Sequence, residues 1–314
     1  MDAIDFHLHL PWWHEDPGIA AAALLGEMDS AGVRLGVVIA VDVSIKPLLS
    51  RVNPRGVYKA LNEVLDYIAY QPSGMLSKIA SDPEAALEEH VALLQEHYRD
   101  SMDVILASRA SGGRLVPVVG YNPEKGVDWL ISLLREHWDE ILGVKIFPTL
   151  NFTDPSHRGL HRLYRALENH GKIVIVHTGC DPGIWELPAY CRLARPRLVA
   201  EAARRFRDLV FIVAHLGSYS MLMPGIFFSE ALEAMELDNV YADTSAVDPY
   251  FVELAVERVG SDRLLYGSDY PYLVGARIRD SIQWIMELGI SRADKRRILY
   301  ENARRMLSSR GFQV

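Results

Sequence analysis

The sequence predicts an α/β fold, a (β/α)8 TIM barrel with a helical insertion between strands two and three. Three observations predict it. Eight short apolar runs rich in β-branched residues recur at 3–9, 34–41, 114–120, 141–147, 173–179, 209–215, 239–245 and 263–269. Most are nearly continuous rather than alternating, as expected of strands buried on both faces of a parallel sheet. Helix-like stretches separate them, and eight strands alternating with helices make a barrel. A doubly wound open sheet is the competing arrangement, but no GxGxxG or GxxxxGKS follows any run.

Taken in order, run one is AIDFHLH and run two RLGVVIAV. Residues 42–113 then intervene, too many for a plain β–α–β step, with helical patterns at 56–70 and 83–106. They read as an insertion elaborating the barrel mouth or an interface. Run three is RLVPVVG and run four ILGVKIF. After Thr153-Asp154-Pro155, Leu160, Leu163, Tyr164 and Leu167 form a helical stripe that His170-Gly171 closes. Thr153 or Asp154 is its expected cap, and Pro155 suits its first turn. Runs five to eight are IVIVHTG, LVFIVAH, NVYADTS and RLLYGSD. Asp248-Pro249 opens a helix ended by Gly260, and Ser291 with Asp294 opens the last, which ends near Leu307. No repeat, low-complexity tract or linker divides the chain, so 1–314 is expected to be one domain.

Composition narrows the partners. The 314 residues carry 33 Lys and Arg against 41 Asp and Glu, a net charge of −8. That balance disfavours nucleic-acid and anionic-membrane surfaces, which need clustered cations. No apolar run nears the roughly 20 residues that span a bilayer, and the N-terminus carries no secretory signal pattern. Two cysteines, Cys180 and Cys191, make no disulfide framework. A cytoplasmic location is therefore the expectation.

In a barrel the active site lies at the C-terminal strand ends. Strand one ends in His7-Leu8-His9, strand four carries Lys145, and strands five, six and eight end at His177, His215 and Asp269. Six ionisable groups from five strands converge on one mouth. Burying that many unpaired imidazoles is costly. A shared divalent cation such as Zn²⁺ removes the cost, because neutral imidazoles and a carboxylate are its ligands. His157 and His161 also lie four apart, but HRGLH lacks the Glu of a metalloprotease motif.

This constellation resembles the amidohydrolase superfamily. DFHLH, GVKIFPT, IVIVHTG, FIVAHLG, RLLYGSDYPY and ENARRML resemble its "amidohydrolase 2" branch, which holds aminocarboxymuconate-semialdehyde and resorcylate decarboxylases, pyrone-dicarboxylate lactonases and uncharacterised hydrolases. The resemblance runs from His7 to about Leu307 and is weakest at 42–113. It implies metal binding by His7, His9, His177 and Asp269, with His215 as unligated base or electrophile and Asp269 as proton acceptor. Lys145 opens a second arrangement. If carbamylated it would bridge two metals, with His177 and His215 on the second; otherwise it contacts substrate or is structural, and one metal is expected. A homodimer is compatible with the resemblance.

Around the mouth, the loops place Trp12, Trp13, Tyr121, Tyr219 and Tyr270 as expected pocket residues for a small-molecule substrate. Arg51 and Arg55 could grip a carboxylate, and Cys180 follows strand five without an assigned thiol partner. The favoured activity is hydrolysis of an ester, lactone or amide by metal-activated water. The alternative is a metal-dependent, non-oxidative decarboxylase of an aromatic or muconate-type acid. A non-catalytic metal protein fits least, because every metal-pattern residue is intact.

Overall fold

The computed structural model describes residues 2–43, 98–181, 186–273 and 275–314. Residues Met1–Val43 and Arg99–Val314 make one compact unit. The other unit, 44–98, lies outside the described residues except for Tyr98. The 56–70 helical pattern and the residues Arg51 and Arg55 therefore lie outside them too.

The eight strands are β1 (Ala3–Leu8), β2 (Val33–Ile39), β3 (Leu115–Gly120), β4 (Gly143–Ile146), β5 (Ile173–Gly179), β6 (Val210–Tyr219), β7 (Val240–Asp243) and β8 (Leu264–Leu265). They form one parallel sheet in chain order. The eighth run contributes only two residues to the ladder with β7; beyond them Gly267 donates its N–H to the Thr244 hydroxyl, at 3.3 Å, and the chain also bonds to β1. Phe6 donates its N–H to the Tyr266 carbonyl at 2.7 Å, and Asp269 donates to the His7 carbonyl at 2.9 Å. Those bonds close the barrel.

The crossover helices have the ends their sequences specify. Helix α1 (Pro17–Ala31) is capped by Asp16, whose carboxylate accepts the Ile19 N–H, and ends at left-handed Gly32. Helix α2 (Ser101–Ala110) lies between β2 and β3. Asp100 caps it, accepting from Met102 and Asp103. Residues 83–97 of the 83–106 pattern lie outside the described residues; the chain is extended at Asp100, and α2 begins after it. Helices α3 (Gly126–Glu136), α4 (His161–Asn169), α5 (Pro196–Arg205) and α6 (Phe228–Ala234) follow. Asp154 spends its carboxylate on Ser156, so α4 starts later than Pro155, after a 3-10 turn. Asp248 caps α7 (Pro249–Val259) as expected. Helix α8 (Ile278–Glu287) precedes a terminal helical run, α9 (Arg292–Arg296) to α10 (Asn302–Ser308), capped by Ser291. Among the described residues no helix is long and apolar enough to cross a membrane.

Strand alternation sorts side chains into two layers. Ile173 and Ile175 pack with Ile212 and Ala214 in the barrel-interior cluster. Val174, Val176, Phe211 and Val213 pack outward against helices. Two breaks in this alternation lie beside the strand-end histidines. In β1, Asp5 pairs with Gly36 but Leu8 with Val38, so β1 spends one extra residue. Leu8 joins the outer cluster with Leu24 and Met28, and His7 and His9 are turned to the interior. In β6, His177 pairs with Ala214, so plain alternation would send His215 outward. His215 instead takes φ 60°, followed by Leu216 at 50° and Gly217 at 66°, and this left-handed turn brings the imidazole back inside. Such a conformation costs roughly 1–2 kcal/mol per non-glycine residue and is typical of functional sites.

Asp5 clasps the barrel seam. Its Oδ1 accepts the N–H groups of His7 and Ser268, both at 3.1 Å. Burial pushes its carboxyl up to about 7 from an ordinary 3.8. The folded chain thus keeps a proton that the unfolded chain has released, so stability falls as pH rises through that window. Asp5→Asn keeps an acceptor oxygen and removes the dependence. Relative to the parent, it is expected to gain on the order of 2 kcal/mol between about pH 5 and pH 8 in urea unfolding of metal-free protein. A difference that stays constant across that range contradicts the assignment.

Candidate metal centre

Five strand ends and the segment after β8 meet at the barrel mouth. His7 and Lys145 are fully buried, and His9, His177, His215 and Asp269 are nearly so. The hydrogen bonds on their outer sides decide which atoms face one another. His7 Nδ1 lies 2.8 Å from Asp243 Oδ2, and His9 Nδ1 lies 2.9 Å from the Ile39 carbonyl oxygen. Both partners accept, so both Nδ1 atoms carry a proton, and in the neutral rings both Nε2 atoms present lone pairs. Those two Nε2 atoms lie 3.5 and 3.4 Å from the same oxygen, Asp269 Oδ1. His7, His9 and Asp269 form one group able to hold a metal ion, with donor atoms within 4.8 Å of one another.

The electrostatics suit that role. Burial, reinforced by Lys145, holds the His7 imidazole well below its usual range. Burial, with His177 and His7 adding to it, does the same to His215. Both rings are neutral near pH 7, as metal ligation requires. Burial also pushes Asp269 upward, but His9, His7 and Lys145 outweigh it and keep the carboxylate below its ordinary value. Asp269 sits at φ 60°, a second strained residue in the centre.

A second group, His7, His215 and Asp243, also brings three donors within 4.8 Å. Here hydrogen bonds already use the donors. Asp243 takes the His7 Nδ1 proton, the His215 N–H at 3.0 Å and the Ser245 hydroxyl. His215 Nδ1 faces the Ser245 carbonyl oxygen at 3.0 Å. This is the orienting layer behind the first group rather than an equal competitor.

Lys145 stands beside His7, with Nζ 3.3 Å from His7 Nε2 and 4.8 Å above the Phe147 ring. Burial pushes it down to about 8. His177 is set back: its Nδ1 lies 3.0 Å from His215 Nε2 and its Nε2 3.2 Å from Glu186 Oε1. It belongs to neither three-donor group. Aromatic rings pack on the imidazoles: Phe147 on His177 at 5.5 Å, Tyr219 on His177 and His215 at 5.0 and 5.1 Å, and Tyr272 edge-on to His9 at 4.7 Å.

Of the other expected pocket residues, Tyr121 is buried in the outer core cluster. Tyr270 packs against the α1 cluster, leaving the contact with His9 to Tyr272. Trp12 and Trp13 meet edge to face, and Trp13 is half exposed. The cysteines overturn an expectation: Cys180 is joined to Cys191, so it offers no thiol, and the chain does contain a disulfide. Sequence reading missed Asp243, Ser245 and Glu186. Asp243 and Ser245 lie in the seventh run, YADTS, where a polar strand end was visible. Glu186 sits in a loop with no pattern around it.

A family model described as amidohydrolase matches residues 4–308. No curated protein sequence matches the chain. Among solved structures, an uncharacterized TIM-barrel protein from Bordetella bronchiseptica is 18% identical with a TM-score of 0.68, covering 99% of this chain and 100% of that one. A 2,6-dihydroxybenzoate decarboxylase from Rhizobium is 14% identical with a TM-score of 0.58, covering 99% and 100%. A putative 2-pyrone-4,6-dicarboxylic acid hydrolase from Pseudomonas putida is 16% identical with a TM-score of 0.58, covering 99% and 98%. These likenesses speak to the fold. The family model, spanning nearly the whole chain from β1 to α10, shows that the chain belongs to the amidohydrolase family.

Proposed function

We propose that the chain is a metal-dependent hydrolase that opens an ester, lactone or amide of a small organic substrate. The convergence of two Nε2 lone pairs on one Asp269 oxygen carries the reading. Three such donors in a buried mouth repel one another unless a cation joins them. His7, His9 and Asp269, with His177 as the fourth, are the proposed ligands, and their nitrogen and oxygen donors fit Zn²⁺. When bound, the ion supplies Lewis acidity to a substrate oxygen and lowers the pKa of water.

The chain's own groups divide the remaining work. Asp269 is held ionised, so its carboxylate is the proton acceptor at the centre. His215 is neutral and has its Nδ1 proton committed to Ser245, so it exchanges protons only at Nε2. Lys145 brings a buried ammonium beside His7, placed to meet a substrate carbonyl or carboxylate oxygen. His215→Asn is expected to lower kcat by about 10²–10⁴-fold, the range for a general acid–base group. It should keep the metal content of the parent by elemental analysis. A rate within tenfold of the parent, or loss of the ion, contradicts this role.

One observation favours the second reading, a non-oxidative decarboxylase. The rings of Phe147, Tyr219 and Tyr272 surround the imidazoles and suit a flat aromatic acid. The two readings part on their products. Hydrolysis of a lactone or ester panel is expected to consume base, seen by pH-stat, with no CO₂ released. Stoichiometric CO₂ from an aromatic or muconate-type acid, with no ester or lactone opened, would transfer the assignment to the decarboxylase.

A further inference from the structure

The order of hydrogen bonds around His215 leaves one nitrogen unaccounted for. The Ser245 carbonyl can only accept, so the proton of neutral His215 sits on Nδ1, and Nε2 is a bare acceptor. His177 Nδ1, 3.0 Å away, therefore carries the proton between the two rings. In the neutral ring, that leaves His177 Nε2 with a lone pair. This atom is buried, in a residue only 6% exposed, and makes no hydrogen bond. Facing it at 3.2 Å is an anionic oxygen, Glu186 Oε1, on a residue only 5% exposed.

A lone pair and a carboxylate oxygen in contact away from water repel, and a cation relieves the repulsion. Their separation matches the edge of roughly 3.3 Å between two donors of a tetrahedral ion with bonds of about 2.05 Å. The carboxylate is also held in place. Glu186 Oε1 accepts the Thr149 hydroxyl at 2.6 Å, and Oε2 accepts the Asp181 N–H at 2.7 Å. The Cys180–Cys191 disulfide brackets the segment that carries it. Each oxygen retains a lone pair beyond these bonds.

We infer that Glu186 is a further metal donor, acting with His177 as a second arm of the metal centre on the β5 side. The inference rests on the metal-centre reading above. The end of β5 and the loop after it supply this arm, while β1 and the segment after β8 supply the other. Glu186 thereby makes the ion hold the β5 loop as well as the strand ends.

The test is zinc affinity of the full chain, by competition with a chromogenic chelator, together with the absorption spectrum of the Co²⁺-loaded protein. Parent, Glu186→Gln, Glu186→Asp and His9→Ala are compared. Glu186→Gln is expected to weaken zinc binding tenfold or more, the scale on which metal-site partners act, and to alter the cobalt bands. Glu186→Asp keeps the charge but withdraws the oxygens by one methylene, and should also weaken binding. It decides the matter if the Gln variant does not fold. If both fold and match the parent in affinity and spectrum while His9→Ala has lost the ion, Glu186 and His177 form only an ion pair and the inference is overturned. A parent chain that takes up no zinc overturns the metal centre itself, and the inference with it.

Discussion

Two imidazole lone pairs and one carboxylate oxygen point at one another inside a buried barrel mouth, and the surrounding structure keeps them there. Asp243 and the Ile39 carbonyl take the outer protons of His7 and His9, so neither ring can turn a proton inward without losing a bond. Burial keeps His7 and His215 neutral, while Asp269 stays charged. The Lys145 ammonium is the one cationic side chain in contact with His7 among the described residues, and burial weakens its hold on its proton. The mouth is built to favour positive charge between its donors.

The backbone bears the cost of this arrangement. A regular barrel alternates its side chains, and strict alternation would not deliver both His7 with His9 and His215 to the interior. One extra residue in β1 and a left-handed turn at His215 break the alternation where it obstructs the centre. Asp269 is strained in the same sense. Below these points apolar side chains, mostly branched aliphatics, fill the interior. The apolar lower barrel provides the packing energy against which the upper strain is held.

Much of this was legible in the chain. All eight strands lie where apolar runs predict them, because a doubly buried strand has a composition that neighbouring helices lack. His7, His9, His177, His215 and Asp269 stood out as polar endings of apolar runs. Asp243 ended such a run too, yet its role depends on reaching His7, 236 residues away in sequence. Glu186 belongs to a loop, where no periodicity marks a residue that tertiary contacts will bury. The Cys180–Cys191 pairing was hidden for the same reason: spacing in sequence does not state proximity in space. The eighth run reads as seven residues, but only two of them pair with β7, the next free N–H being taken by the Thr244 side chain.

The central claim is that the converging donors hold a metal ion, not the Lys145 ammonium alone. A crystal structure of protein purified without added metal, with diffraction recorded on both sides of the zinc absorption edge, tests it most directly. The account predicts an anomalous peak about 2.0–2.2 Å from His7 Nε2, His9 Nε2 and Asp269 Oδ1, with Lys145 moved off His7. A mouth without such a peak even after soaking in zinc, and with Lys145 Nζ still bonded to His7 Nε2, would contradict it.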